Sequence, residues 1–257
     1  MADESLIAVF VDFENLAIGS RDMHEGEFRI DLVQKRLLEK GRIVAKRAYC
    51  DWNRYRSAVR DFHSQGIEMI DIPSGKVSGK NSADIHMVVD ALDLCHSKSH
   101  IDVFALLTGD SDFSPLVNKL KENNKRVIGC GVKSSTSDLL VSSCDEFLYY
   151  DDLVRSAEKK KVPARAARTR TPKEAKADTK MEGVEMLVAI VSSLAEDYDP
   201  VWGSLVKQTL RRVHPDFREE RFGYASFVEM LKDAEARGLV VLDYDQARGN
   251  YKIRLKV

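Results

Sequence analysis

Hydrophobic residues follow two alternating patterns along the first half of the chain. Short, nearly continuous apolar runs are typical of strands buried on both faces. Between them lie stretches in which apolar residues recur every three or four positions, as in amphipathic helices. We predict strands within residues 6–13, 42–52, 67–73, 101–107, 126–132 and 146–150, and helices within 30–41, 54–66, 82–95, 114–124 and 136–144. Strands that alternate with helices predict an α/β fold with a mainly parallel sheet.

The pattern changes from about Met181 onward. Three amphipathic stretches, at 184–196, 202–215 and 224–238, are followed by two strand-like segments on either side of the turn ARGN. Three helices followed by a two-stranded hairpin are typical of a small winged-helix domain. We therefore predict a first domain at residues 1–155 and a second at residues 182–257.

The stretch between these domains, residues 156–181, has a different composition. Residues 158–180 contain nine Lys or Arg and three Asp or Glu, a net charge of +6, although the whole chain has a net charge of −1. Two prolines and few large apolar residues leave this stretch unable to form a core. We interpret it as a flexible basic linker, which serves either as a solvated spacer or as an arm that attracts phosphate backbones.

Composition excludes several other classes of protein. No apolar run approaches the roughly 18 residues of a membrane helix, and the start MADESLIAVF lacks the basic segment of a signal peptide. The four cysteines form no C-x-x-C pair and lie in apolar stretches, so a zinc site is not expected. Reduced core cysteines favour a cytoplasmic protein.

Acidic residues lie where the predicted strands end, and one more, Asp84, opens the predicted helix at 82–95 after the loop that leaves the third strand. Ligands in parallel α/β sheets bind beyond the carboxyl ends of the strands, so these acids should collect at one edge of the sheet. Crowded carboxylates need a cation to remain ionised together, and ligand sets made only of oxygen suit Mg²⁺ or Mn²⁺. Taken singly, each acid could instead cap a helix or form a turn. The acids concerned are Asp12, Asp51, Asp84, Asp110 and Asp112.

The segments VFVDFENL, GKNSADIHMVVDAL and LLTGDSDFSPLV, in that order, resemble the NYN domain family, whose members have a PIN-like (Rossmannoid) fold. The resemblance covers about residues 5–152 and implies a metal-dependent ribonuclease. It assigns catalysis and Mg²⁺ or Mn²⁺ binding to four acids, with Asp51 at a less constant acidic position. The four acids are Asp12, Asp84, Asp110 and Asp112, and the supporting residues are Asn15, Asp51, Thr108 and Ser111.

Residues 182–257 resemble the OST-HTH or LOTUS domain family, which implies a winged helix that binds RNA or a protein partner. We expect Tyr224 and Arg248 to contact RNA, with Phe227 and Tyr251 either stacking on bases or packing in the core. In the first domain, Lys76 and Lys80 lie in a glycine-containing loop before Asp84, and the alternative is an exposed flexible loop without a ligand. We favour contact with an RNA phosphate, because the acidic residues are next to this loop.

Three functional hypotheses follow. The leading one is an Asp-dependent, metal-dependent endoribonuclease with an accessory RNA-binding domain. The second is a non-catalytic RNA-binding or scaffold protein that keeps a PIN-like fold. A doubly wound phosphatase fits less well, because such enzymes place Asp-x-Asp after the first strand, and here the order is Asp12-Phe13-Glu14. The sequence leaves open the RNA substrate, the choice of metal and whether the chain forms a homo-oligomer.

Overall fold

The computed structural model describes residues 4–23, 27–73, 82–159 and 172–256. The chain divides into two compact units. One contains nearly all of the described residues up to Lys159, and the other contains those from Pro172 onward. None of the helices in the described ranges is both long enough and apolar enough to cross a membrane.

The first unit is built on a six-stranded parallel sheet, as the alternating pattern predicts. The order of the strands across the sheet is β3-β2-β1-β4-β5-β6. The chain therefore runs outward from β1 to β3, returns to the centre at β4, and then runs outward on the other side. The strands are β1 (Leu6–Asp12), β2 (Arg42–Cys50), β3 (Glu68–Asp71), β4 (Val103–Leu107), β5 (Arg126–Gly131) and β6 (Glu146–Tyr149).

Seven α-helices of the described residues accompany this sheet. Five of them match predicted helices, whereas α1 and α7 were not predicted. The helix α1 follows β1 without a loop, because the last residue of the strand also caps the helix. The helices are α1 (Phe13–Asp22), α2 (Ile30–Lys40), α3 (Arg56–Ser64), α4 (Ser82–Ser97), α5 (Ser114–Glu122), α6 (Asp138–Ser143) and α7 (Tyr150–Lys159).

The two faces of the sheet bury separate hydrophobic clusters. On β1, Ile7, Val9 and Val11 pack into one cluster, and Ala8 and Phe10 pack into the other. This alternation follows from the two-residue period of a strand. It explains the continuous apolar run, since a strand covered on both faces has no solvent-facing side.

The second unit contains three α-helices in its described part, α8 (Pro172–Leu194), α9 (Gly203–Val213) and α10 (Phe227–Ala236). Its hairpin consists of β8 (Val240–Asp245) and β9 (Asn250–Leu255). A short strand that the pattern did not predict, β7 (Val201–Trp202), pairs with β9 to give an antiparallel sheet in the order β7-β9-β8.

The two described ends of the predicted linker at residues 156–181 are helical. Residues 156–159 belong to α7, and residues 172–181 form the first turns of α8. The physical reason is local composition. Proline is well placed at the start of a helix, and Ala, Glu and Lys, which follow it here, have high helix propensities.

Candidate active site

The position of the site follows from the order of the strands. The strand order reverses between β1 and β4, which neighbour each other at the centre of the sheet. Loops that leave such a pair diverge to opposite sides, so a crevice opens beyond the carboxyl ends of the two strands. Asp12 is the last residue of β1, and Thr108 follows the last residue of β4. Both therefore lie at this crevice.

Asp12 is almost completely buried, with 8% of its surface exposed, and two donors hold its carboxylate. The hydroxyl of Thr108 donates to Oδ2 over 2.9 Å, and the backbone N–H of Asn15 donates to Oδ1 over 3.3 Å. The second bond caps α1 at its N-terminus. Through this one side chain, the end of β1 is joined to the residue after β4 and to the start of α1.

The loop after β4 is fixed by a chain of hydrogen bonds. The side chain of Asn15 accepts from the backbone N–H of Gly109 over 2.9 Å. The hydroxyl of Thr108 accepts from the N–H of Asp110 over 3.2 Å, and Asp110 Oδ1 accepts from the N–H of Asp112 over 2.9 Å. Asp110 thus caps the 3-10 turn at Ser111–Phe113, in which Ser111 lies half-buried. The capping and metal interpretations of Asp110 are compatible, because a carboxylate has several acceptor sites.

Glycine is required at position 109 by close backbone packing. A Cβ atom added there would lie 2.5 Å from the carbonyl oxygen of Ser135 and 2.9 Å from Cα of Thr136. The Gly109 carbonyl also accepts a hydrogen bond from the N–H of Ser137 over 2.9 Å. The segment after β5 therefore supports the loop that carries Asp110, a contact that the sequence pattern did not indicate.

Asp84 lies in the first turn of α4 and is half-buried. Burial raises its pKa to about 6, and repulsion from Asp110, Asp112 and Glu14 adds to the rise. Burial likewise raises the pKa of Asp12 to about 7, and repulsion from Asp84 and Asp110 acts in the same direction. The hydrogen bonds from Thr108 and Asn15 oppose this rise. These carboxylates therefore lie near enough to influence one another, as predicted for one edge of the sheet.

The arrangement fits a hard divalent cation in its chemistry. The donors are all oxygens, and a cation would relieve both the repulsion and the burial cost that raise these two pKa values. Within the part of the chain that the structure describes, no three His, Cys, Asp or Glu side chains stand close enough together to hold one ion. The side chains would consequently have to draw closer around a bound metal.

Glu14 joins this group, although its position in the sequence pattern gave no indication of this. Its carboxylate forms an ion pair with Arg54 over 2.9 Å and contributes to the raised pKa of Asp84. The two partners lie 40 residues apart, so spacing along the chain could not reveal the pair. Glu14 brings a fifth carboxylate, and Arg54 a cation, to the crevice. We call Asp12, Glu14, Asp84, Asp110 and Asp112 the acidic cluster.

Asp51 lies at the same edge of the sheet, whereas two other predicted residues are outside the described part of the chain. Asp51 directly follows β2, and its Oδ1 accepts from the backbone N–H of Asn53 over 3.2 Å. This bond agrees with a turn residue, which was the alternative interpretation of this acid. Lys76 and Lys80 lie outside the described residues.

The prediction that Tyr224 contacts RNA is wrong. Only 2% of its surface is exposed, and its hydroxyl donates to Asp233 Oδ2 over 2.6 Å within the core of the second unit. Phe227 is also buried. A residue that faces solvent in the same unit is Tyr244, which is 51% exposed and lies opposite Tyr251 on the hairpin. The exposed Arg248 places its guanidinium 4.9 Å from the ring centre of Trp202.

Comparisons with known proteins find similarity in the first unit. The family model of the NYN domain matches residues 6–151. The uncharacterized protein MJ0482 of Methanocaldococcus jannaschii is 34% identical over 132 residues, which are 51% of this chain and 52% of that protein. This chain thus spans about half of that relative's length. A crystal structure of a protein of unknown function, VPA0982 of Vibrio parahaemolyticus, is 25% identical with a TM-score of 0.53, covering 60% of this chain and 97% of that one.

Proposed function

Because the chain belongs to the NYN domain family, whose members are typically ribonucleases, we propose that it is a metal-dependent endoribonuclease that cuts RNA at the acidic cluster. The family match covers the whole parallel sheet, including the ends of β1 and β4. The family implies RNA binding and a nuclease type of hydrolase. The metal dependence and the identity of the catalytic residues go beyond the family match and are part of this proposal.

One observation carries the proposal. Asp12 and Asp84 come from distant parts of the chain, yet both have raised pKa values caused by burial and by their carboxylate neighbours at the strand-order reversal. Burying carboxylates beside one another costs folding free energy and contributes nothing to the core. Clusters of this kind at a crevice are typical of functional sites.

The residues have separate roles in this proposal. Asp12, Asp84, Asp110 and Asp112 would hold Mg²⁺ or Mn²⁺, which when bound supplies an activated water and charge stabilisation for the leaving oxygen. Thr108 and Asn15 orient the carboxylates, because each links a residue of the β1 end to the loop after β4. Arg54 offers the cluster a cation that can attract a phosphate of the strand.

A specific observation favours the alternative, a non-catalytic RNA-binding or scaffold protein. The described carboxylates are not gathered tightly enough for three of them to hold one ion. A protein that uses this crevice only to bind RNA would need no such gathering. The two functions differ in whether RNA is cut, so the cleavage assay described below distinguishes them.

We further propose that the second unit is a winged helix that binds RNA, as its resemblance to the LOTUS family implies. The order helix, short strand, two helices and hairpin supports this assignment, as does the three-stranded antiparallel sheet. Its solvent-facing Tyr244 and Arg248 replace the buried Tyr224 as candidate RNA contacts. The alternative is that the same surface binds a protein. Measuring RNA binding by the Arg248→Ala chain distinguishes the two, because the substitution should change RNA binding only if this surface contacts RNA.

The test of catalysis compares the full chain with Asp12→Asn on a pool of single-stranded RNA. We expect cleavage with Mn²⁺ or Mg²⁺, none with EDTA, and a loss of several orders of magnitude in rate for Asp12→Asn, because a ligand of the activating metal is removed. Gel analysis of end-labelled RNA measures the rate, and the melting temperature shows that the variant is folded.

Asp93→Asn is the matched control, since Asp93 is an exposed acid on α4, the helix that also carries Asp84. This variant should cut at the wild-type rate. RNA binding by the wild-type chain without cleavage in either metal would instead establish the non-catalytic function.

A further inference from the structure

The helix α4, which carries Asp84, packs on one face of the sheet through a row of buried side chains. Met87, Ala91 and Cys95 recur at intervals of four residues and belong to the cluster that also contains Phe10 of β1. Apolar contacts are non-directional, so most of them would survive a small shift of α4 along its own axis. These contacts alone therefore leave the position of Asp84 along that axis loosely set.

A hydrogen bond between α4 and β2 supplies a directional contact. The hydroxyl of Tyr49 donates to Oδ2 of Asp90 over 2.7 Å, and only 1% of the surface of Tyr49 is exposed. Burial and the neighbouring Asp90 raise the pKa of Tyr49, so its hydroxyl keeps the proton that it donates. The same carboxylate oxygen lies 3.4 Å from Nη1 of Arg47, which is on the same face of β2. Asp90 is thus tied to two side chains of one strand.

This hydrogen bond is close to the acidic cluster along both elements. On the sheet, Tyr49 pairs with Asp12 in the parallel ladder between β1 and β2. On the helix, Asp90 follows Asp84 by six residues, over which α4 rises about 9 Å. Repulsion from Asp84 and Asp110 contributes to the raised pKa of Asp12. A shift of α4 at Asp90 would consequently move Asp84 relative to the other carboxylates.

We propose that Tyr49 is a positioning residue of the metal site, which acts through Asp90 to hold Asp84 where it can share a divalent cation with Asp110. Tyr49 itself would contact neither the cation nor RNA. Asp90 would not be a ligand, because its carboxylate is engaged with β2. This inference rests on the proposed function, since the position of Asp84 matters to the reaction only if Asp84 binds the metal.

The test compares the full chain with Tyr49→Phe, which removes the hydroxyl and keeps the ring. Mn²⁺ binding is measured without RNA, by the electron paramagnetic resonance signal of free Mn²⁺. We expect the dissociation constant for Mn²⁺ to rise about tenfold, as when a partner behind a metal ligand is removed. Cleavage at saturating Mn²⁺ should stay near the wild-type rate, because every ligand is still present. A bond that only stabilises the fold would lower the melting temperature and leave the dissociation constant unchanged.

Variants of Asp90 test whether the hydrogen bond carries the effect. Asp90→Asn keeps an oxygen that accepts from Tyr49, so it should bind Mn²⁺ nearly as tightly as the wild type. Asp90→Leu removes the acceptor and should match Tyr49→Phe. Combining Asp90→Leu with Tyr49→Phe should add little, because both substitutions break the same bond. Additive losses from the two substitutions would overturn the inference.

Cys95→Ala is the matched control, because Cys95 is buried on α4 at the end away from Asp84. It should lower the melting temperature of the metal-free protein through lost packing, yet keep the wild-type affinity for Mn²⁺. A loss of affinity in Cys95→Ala equal to that in Tyr49→Phe would assign the effect to general destabilisation and overturn the inference. If Tyr49→Phe does not fold, Asp90→Leu at its half-buried position takes its place in the same comparison.

The two proposals fail in different ways. Unchanged Mn²⁺ affinity in Tyr49→Phe, in a chain that cuts RNA, rejects the positioning role and leaves the ribonuclease standing. Weakened Mn²⁺ binding by Tyr49→Phe, when the wild type binds Mn²⁺ but cuts no RNA, supports the positioning role and rejects the ribonuclease. A wild-type chain that binds no Mn²⁺ overturns the positioning role, whether or not RNA is cut.

Discussion

Asp12 combines burial with only partial compensation of its charge. Two donors reach its carboxylate, but Asp84 and Asp110 lie near enough to oppose ionisation. Removal from water is the largest cause of its raised pKa. The folded protein therefore holds a proton at this residue that the unfolded chain would release, and folding stability depends on pH.

The metal-free protein should lose stability as the pH rises from about 4, where the unfolded Asp ionises, to about 7, where folded Asp12 does. A raised folded-state pKa gives this sign, because only the unfolded chain is ionised across that interval. Melting temperatures in EDTA over this range measure the effect. Asp12→Asn should show a weaker decline, and an unchanged decline would contradict this account of Asp12.

The hydroxyl of Thr108 forms hydrogen bonds both with the end of β1 and within the loop after β4. It is fully buried, donates to Asp12 and accepts from the N–H of Asp110. Thr108→Val should therefore raise the pKa of Asp12 further and cost about 1–3 kcal/mol of unfolding free energy, because polar groups lose their partners. Thr108→Ser keeps the hydroxyl, so its Asp12 pKa and its unfolding free energy should stay close to those of the wild type. Chemical denaturation and the pH profile of cleavage test these expectations, and equal behaviour of the two variants would refute them.

Among the elements, the alternating pattern predicted all six parallel strands and five of the seven described helices beside them. It failed for α1 because Asp12 ends β1 and caps α1 at once, so no turn residue marks the boundary. Periodicity also could not show that the segment at Ser135 supports Gly109, since such contacts depend on tertiary packing. The acids at the strand ends were found because parallel strands share one direction. Tyr224 was misassigned because an aromatic residue suits a core and a binding surface equally well.

The contact between the loop after β4 and the segment after β5 is testable through Gly109. Gly109→Ala should destabilise the protein by roughly 1–3 kcal/mol, because the added methyl group meets backbone atoms that must move. It should also displace Asp110 and lower the affinity for Mn²⁺, measured by the metal-induced rise in melting temperature. Asn118→Ala, on the exposed face of α5, is the control and should change both quantities little. Wild-type stability and metal affinity for Gly109→Ala would show that the loop position does not depend on this contact.

At the scale of the whole molecule, charge is divided unevenly. Residues 1–157 have a net charge of −5, residues 158–180 of +6, and residues 181–257 of −2. The acidic first part repels a phosphate backbone, so the basic stretch should supply much of the attraction for RNA. Its helical ends do not change this argument, which depends on charge rather than on flexibility.

Replacing the nine Lys and Arg of residues 158–180 with Gln should weaken RNA binding and flatten its dependence on salt, because fewer counterions are released. Cleavage at saturating RNA should change little, since the acidic cluster is untouched. Anisotropy titrations at several salt concentrations give the slope. Arg248→Ala should alter which RNAs bind while moving that slope only slightly. An unchanged slope in the linker variant would assign the phosphate contacts to other parts of the chain.

The hydrogen bond between Asp12 and Thr108 joins residues that are 96 positions apart. Pairings so distant in sequence form slowly, because much of the chain must be ordered before they can close. On the ribosome, β1 emerges long before β4, and the carboxylates of the crevice stay apart until residue 108 and its neighbours have followed. The nascent chain is thus synthesised beside messenger and ribosomal RNA without an assembled crevice for most of the time that its first unit takes to emerge.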